Sequence, residues 1–465
     1  MNTSIITYWD WLLAPFYILI IYIVASNIKN REIKKNPIYK YFLWGLFAKI
    51  FGAVCVCLIY VYYYKEGGDT LSYNSDSSAM VKLLFIAPKD FFTVWLSPLF
   101  KEIQSYFTNE TGYLMYGRDS DAFMVVRLLI PLKLIGLNSY ILTSILMAVV
   151  SYTGVWKLYT VFCDYFPQLY KQFALSVLFV PSVFFWGSGM LKDSWTIAAA
   201  GWYCYSFYRI FIKRESVIAS SVTLAIAAMI MISIKPYIFV ALLPGTLLWM
   251  IWNRLGRIKN QFLKFFIAPV IVTIGVGIGF FIWSLTSSNL GQYSTLDSML
   301  QKAVDASEDL KQDYYGGNAF DLGKFDPTIS GVLSKFPVAT MTGLFRPFLW
   351  EAKNAVMLVS GLENSIILFF VLYILFRKPM VAITGIFSNP LVLFCLIFAI
   401  FFAFSVAISS SNFGSMVRLR IPQIPFFLSG LFIIYHYQKA SITNNKLPSD
   451  ILSTNPTNEF SRENY

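Results

Sequence analysis

Residues 62–76, YYYKEGGDTLSYNSD, bring together side chains able to do acid–base chemistry: Asp69, Thr70, Ser72, Tyr73 and Asp76 behind a pair of glycines. A carboxylate held at a membrane surface can take the proton of a hydroxyl beside a lipid-borne substrate. The same residues also suit a solvated connecting turn, and this stretch alone does not separate the two readings.

Further patches put charge at the ends of apolar runs. SNFGSMVRLRIPQIP carries Asn412 and then Arg418 and Arg420 between Gly414 and Pro422. If extended, the two arginines point the same way; if helical, they diverge by about 200°. Guanidiniums at headgroup level suit a phosphate or pyrophosphate, which arginine grips with two parallel hydrogen bonds. An interfacial anchor on ordinary lipid phosphates is the other reading. TGLFRPFLWEA sets Arg346 before Pro347, with Glu351 as a partner for Arg346 or for a basic group elsewhere. An aromatic belt with a structural ion pair would look the same. In FFWGSGMLKDSW, Lys192 is a candidate anion contact, and Asp193 is either a helix cap or part of the same site. Lys235-Pro236-Tyr237 puts one cation between two apolar runs. Glu363 lies nearly three turns inside another run. A carboxylate there is costly in lipid, so it must face the protein as a buried ion partner or a pathway residue.

The elements that position these residues follow from composition. The chain has 465 residues, is 57% hydrophobic and only 13% charged, with mean hydropathy +0.60. Too few charges remain to cover a soluble fold of this length, and repeated apolar runs of about 20 residues indicate an all-α, polytopic helical membrane protein. The net charge of +12 resides mostly in short loops, as the cytoplasmic bias for Lys and Arg predicts. No basic stripe with stacking aromatics lies outside the apolar runs, so nucleic acid is excluded as a partner. Five cysteines, mostly inside apolar runs, provide no disulfide framework and no redox pair. His436 is the only histidine, which excludes a His-based metal site or triad.

About eleven transmembrane helices are expected. They lie near 11–24, 42–63, 140–162 and 173–189, then in a fifth run ending by about 211 and a pair flanking Lys235. The last four lie near 265–285, 355–376, 391–409 and 425–437. The basic cluster at 29–40 places the N-terminus outside and the C-terminus in the cytoplasm. Lys49 is expected to snorkel to the cytoplasmic face. Two large outer segments, about 65–139 and 286–352, contain amphipathic stretches read as interfacial helices. The second has an acidic middle, including Asp297 and Asp313, and a Gly316-Gly317 break. Residues 1–438 then form one membrane domain, and 439–465 a disordered cytoplasmic tail. No inverted repeat is visible. On this topology Asp69, Asp76, Lys192, Asp193, Lys235, Arg346, Glu351, Arg418 and Arg420 share one face.

An acidic turn after an early span, a long amphipathic outer segment, a basic-Pro-Tyr turn, RPFxWE and a late NFGxxxRxRxPxxP motif resemble a family of bacterial polytopic enzymes. These are the C-type, lipid-phosphosugar-dependent glycosyltransferases and the related oligosaccharide repeat-unit polymerases. The resemblance covers most of the chain as architecture and about five short patches as motifs. It implies transfer of a sugar or oligosaccharide from a polyprenyl-phosphate-type donor at the outer face of the bacterial cytoplasmic (inner) membrane. It further implies Asp69 as catalytic base, with Asp76 the alternative. Arg418, Arg420, Arg346, Lys235 and Lys192 would bind phosphate, and Glu351, Tyr73, Asn412 and Glu363 would support them. The partners implied are membrane lipid and a polyprenyl-linked glycan. Gly68 stands where that family commonly has a first acidic residue, so no cofactor is assigned, although a divalent metal is compatible. A transporter or flippase of an anionic lipid-linked glycan would use the same arginines without needing a base. A scaffold subunit of an envelope complex is the third reading.

Overall fold

The computed structural model describes residues 5–64, 68–98, 101–255 and 319–444, with scattered residues between 270 and 309. Most of the expected span at 265–285, the Gly316-Gly317 break, Asp297, Asp313 and the tail beyond 444 lie outside the described residues.

Every described element is helical apart from one isolated bridge between Ala319 and Asn412. α1 is Tyr8–Glu32, α2 Phe42–Leu58, α3 Asp69–Ile86, α4 Pro88–Leu96, α5 Ser120–Ile135 and α6 Tyr140–Tyr165. α7 is Tyr170–Phe173, α8 Pro181–Trp186, α9 Lys192–Phe207, α10 Val217–Ile234 and α11 Pro236–Leu255. α12 is Ile329–Ser334, α13 Phe336–Phe345, α14 Ala355–Arg377 and α15 Pro379–Ser388. α16 is Pro390–Ile408, α17 Phe413–Leu419 and α18 Ile424–Asn444. Proline opens α4, α8, α11, α15 and α16, where its missing N–H costs nothing and its φ already suits a helix.

Among the described residues, six helices are long and apolar enough to cross a bilayer: Tyr8–Glu32, Pro37–Tyr63, Tyr140–Tyr165, Val217–Ile234, Ala355–Arg377 and Pro390–Ile408. There are seven if α17 and the apolar part of α18, bent by 67° at a short break, count as one span. The chain is therefore a helical membrane protein. The remainder of the expected eleven are shorter or broken helices, or fall outside the described residues.

Four local expectations change. First, residues 69–76 are the opening turns of α3 rather than a loop. Gly68 allows this, because its φ is 129° and a Cβ there would lie 2.6 Å from the Tyr60 ring. Second, the run at 173–189 is interrupted. A π turn at Ala174–Leu178 ends at Phe179, and α8 restarts at Pro181, which has no N–H to continue a ladder.

Third, Lys49 does not snorkel; it is 1% exposed and donates to Gly187 O at 2.7 Å, Ser151 Oγ at 3.3 Å and Val183 O at 3.4 Å. Its ammonium thus closes the C-terminal end of α8. Fourth, α5 buries Phe123, Val126, Leu129 and Ile130, so it is a core helix and not one resting on a surface.

Small residues let the central helices approach backbone to backbone. A Cβ on Gly154 of α6 would lie 2.0 Å from Ala198 O of α9, and one on Gly201 of α9 would lie 2.1 Å from Gly154 O. Such seams replace the hydrophobic drive that lipid cannot supply between helices. The same contact recurs where Gly343 of α13 meets Ala403 O of α16.

Candidate functional site

The starts of α3, α6 and α9, the end of α10 and the short α17 converge at one end of the bundle. Asp69 is the first residue of α3, and its Oδ2 is 2.6 Å from Arg418 Nη1. Arg418 Nη1 also donates to Tyr60 OH at 3.3 Å. On its other edge, Arg418 Nε lies 3.3 Å from Asp193 Oδ2, without hydrogen-bond alignment. Asp193 Oδ1 takes the ammonium of Lys235, which is the cap residue where α10 breaks into α11. Asp193 therefore spends its carboxylate on two cations from other elements instead of on its own helix. Lys192 has a looser partner, Asp119 Oδ2 at 3.8 Å.

The charges of Asp69, Asp193, Arg418 and Lys235 sum to zero, so an incoming anion must compete for Arg418. Exposure then ranks the members. Asp193 and Lys235 are almost sealed, at 1% and 6%, whereas the Asp69 side chain is 38% exposed. Asp69, and Arg418 at 23%, are the members a substrate can reach.

The segment between α4 and α5 folds over this end and is fastened by Asp76. The Asp76 carboxylate accepts from Met115 N and Tyr116 N, both at 2.8 Å, and is fully buried. Burial raises its pKa above the ordinary carboxylate value, while the two amides pull the other way. Tyr116 is held by this clamp, and its hydroxyl donates to Asp69 Oδ1 at 3.3 Å. The Tyr73 ring packs against Tyr116, with centroids 4.9 Å apart. Burial, and then the charge of Asp69, push the Tyr116 phenol upward, so it remains a donor. Burial acts to raise Asp69 too, but Arg418 outweighs it, with help from Lys192 and Tyr116. The net effect holds Asp69 below its usual value and ionised.

A second cluster lies beyond α17. Because α17 is helical, Arg418 and Arg420 diverge, as that alternative requires. Arg420 is 1% exposed and donates to Arg346 O at 2.7 Å and to Asn364 Oδ1. The Arg346 side chain pairs with Glu351 and lies over the rings of Phe320 and Phe413, at 5.5 and 5.0 Å. Asn412 caps α17 by accepting from Gly414 N at 2.8 Å. Glu363 accepts from Ser182 N at 3.0 Å and Ser182 Oγ at 2.6 Å, and so closes the N-terminal end of α8. The structure thus brings together Asp69, Arg418, Lys235 and Asp193, with Lys192 beside them. Asp76, Tyr73 and Asn412 hold the surrounding backbone, and Arg346, Glu351, Arg420 and Glu363 are engaged with protein groups.

Between the two clusters is a cavity of about 210 Å³, bordered by Arg418, Tyr60, Tyr64, Trp186, Asn412 and Ser360. A charged head with aromatic walls and amide or hydroxyl groups suits a sugar attached to an anion. Among the described residues, no group of three or more His, Cys, Asp or Glu side chains is assembled that could hold a metal ion. Sequence reasoning did not place Tyr60, Tyr64, Trp186 or Tyr116 in the site. Tyr64 lies in the 62–76 motif and Tyr60 just before it, four apart on a continuing helical turn, a detectable signal. Tyr116 lies in an irregular segment with none.

No protein-family model, curated protein or solved structure matches this chain.

Proposed function

We propose that the chain is a membrane glycosyltransferase or polysaccharide polymerase that moves a sugar or oligosaccharide from a polyprenyl-phosphate-type donor. In this reading it crosses the bacterial cytoplasmic membrane about eleven times, with Asp69 at the outer face. The observation that carries the proposal is the 2.6 Å pair of Asp69 and Arg418, joined across most of the chain, with Arg418 also bordering an aromatic-walled cavity.

The proposed step balances simply. The acceptor hydroxyl oxygen attacks the anomeric carbon, and the bond from that carbon to the donor phosphate oxygen breaks, its electrons leaving on the phosphate. The hydroxyl proton goes to Asp69. Arg418 receives the developing phosphate charge, aided by Lys192, whose carboxylate partner is the looser one. Lys235 and Asp193 position Arg418 and do not touch substrate. As phosphate draws Arg418 away, Asp69 loses its counter-charge and becomes a stronger base at the moment a proton must move.

A transporter of an anionic lipid-linked glycan is the second reading, favoured by the broken α8 with Lys49 and Glu363 at its ends. One variant separates the two. Asp69→Asn, reconstituted in vesicles with lipid-linked donor and acceptor, should lower sugar transfer by roughly 100-fold or more and leave the fold intact. Transfer at the wild-type rate removes Asp69 as base; loss of lipid-glycan translocation without any transfer in wild type favours the transporter.

A further inference from the structure

A second cavity, of about 460 Å³, is at the other end of the bundle and plays no part in the reading above. α6 sets its distance. Tyr140, at the start of α6, meets Thr70 beside Asp69 at 2.7 Å. At 1.5 Å per residue, Lys157 and Asp164 lie about 25 and about 36 Å further along the same helix. The cavity is bounded by this end of α6, the linker at Asn36–Tyr39, and the π turn Tyr208–Lys213 that continues α9.

Its charges are not balanced. Lys213 Nζ pairs with Asp164 Oδ2 at 2.9 Å, and Tyr208 OH donates to the same oxygen at 2.7 Å. Arg209 Nη2 meets Glu215 Oε2 at 3.5 Å and Ser216 Oγ at 2.8 Å, while Arg209 Nε is buried with no hydrogen-bond partner. Lys157 is the third cation. Its ammonium lies over the Tyr205 and Trp202 rings, at 4.4 and 5.3 Å, and among the described residues no carboxylate reaches it. One cation is left over, and a buried guanidinium N–H points at nothing.

The backbone supports a built site. A π turn widens the helix where Arg209 and Lys213 project, and the chain leaves it through two non-glycine residues at positive φ, Arg214 at 59° and Ser216 at 45°. Such departures persist where the surroundings hold them and recur at binding sites.

We propose that this cavity is a second binding site for a phosphate-bearing ligand, held by Lys157 and Arg209 and flanked by tyrosine rings. Lys157 supplies the free charge, the Arg209 guanidinium a second cation held only loosely, at 3.5 Å, by Glu215, and the tyrosine rings a surface for a glycerol, sugar or base. Phosphate is the shared chemistry of an anionic phospholipid headgroup and a soluble nucleotide, and a two-armed experiment distinguishes those sources.

In the first arm, full-length protein in phosphatidylcholine nanodiscs with or without phosphatidylglycerol is released into detergent, and retained lipid is counted by native mass spectrometry. In the second arm, calorimetry measures binding of uridine diphosphate and of inorganic phosphate to the detergent-purified chain. Lys157→Gln should weaken whichever binding occurs roughly tenfold. Lys157→Arg should keep it, and Lys40→Gln, which removes a cation stacked on Tyr170 at the same end, should leave it unchanged. Phosphatidylglycerol retention lost in Lys157→Gln assigns a lipid site; calorimetric binding lost in that variant assigns a soluble phosphate ligand. Absence of both in wild type, or equal effects of the Lys157 and Lys40 variants, overturns the proposal. The wild-type arms decide even if Lys157→Gln does not fold.

Discussion

Asp69 and Arg418 define the residue scale. A carboxylate 2.6 Å from a guanidinium is a poor base until the guanidinium is called elsewhere, so the pair is a resting state with a built-in release. Its pH behaviour follows from the sign of the shift. Asp69 is depressed in the fold, so its ionised form and the stability of its pairing are present above the ordinary carboxylate range. Both are lost as pH falls through the lowered value. Activity should therefore persist on the acid side beyond the usual carboxylate range. In Arg418→Gln the chief lowering influence is gone while burial still raises Asp69, so the acid limb of the pH–rate profile should move to higher pH. An unshifted limb would dissociate Arg418 from Asp69. At this scale the sequence was informative about residue type and poor on direction. Arg418 and Arg420 share one motif, yet only helical phase separates them, and nothing in LRIPQIP says whether the arm is helical. Asp193 could be a helix cap or a member of the site, and sequence left the choice open because its two cationic partners are remote along the chain.

At the element scale, α8 is a six-residue helix inside the apolar bundle, with no room for its own caps. Its ends are supplied from elsewhere: Glu363 of α14 at the N-terminal amides, and Lys49 of α2 at the C-terminal carbonyls. Each sign matches the helix dipole. These buried charges thus have a structural cause, which accounts for Glu363 lying so deep in its span. Lys49→Met should destabilise the protein by about 1–3 kcal/mol, because a charged donor is lost from buried carbonyls. Ser151 Oγ still donates to Gly187 O at 2.7 Å, which limits the loss. Unfolding in detergent followed by tryptophan fluorescence measures it; a variant as stable as wild type would mean water replaces the ammonium. The starts of α11 and α16 were legible, beside Lys235 and near residue 391. The start of α8 at Pro181 was not, because FALSVLFVPSVFFWG reads as one apolar run whether or not its backbone is continuous.

At the scale of the whole molecule, two of the charge assemblies lie at opposite ends of α6. Asp69 and its partners form one, and Lys157, Arg209, Lys213 and Asp164 form the other. That the chain is built of apolar, membrane-crossing helices was legible because composition and apolar run length suffice for it. Helix count was less so: among the described residues six helices are long and apolar enough to span, or seven with the bent pair, against the eleven expected. Cysteines placed singly at Ser75 and Arg214 should react from opposite sides of sealed vesicles with an impermeant maleimide. Reaction from the same side would place both charge assemblies on one face.

The two end charges of α8 also impose an order on how the chain is made. Lys49 is synthesised long before α8 exists, and Glu363 long after. During translation the lysine must wait in the insertion channel or near the bilayer surface, and α8 cannot settle until α14 arrives. A chain truncated before residue 355 should therefore leave α8 without its anionic clasp and become a substrate for membrane proteases, even though every earlier span has been delivered.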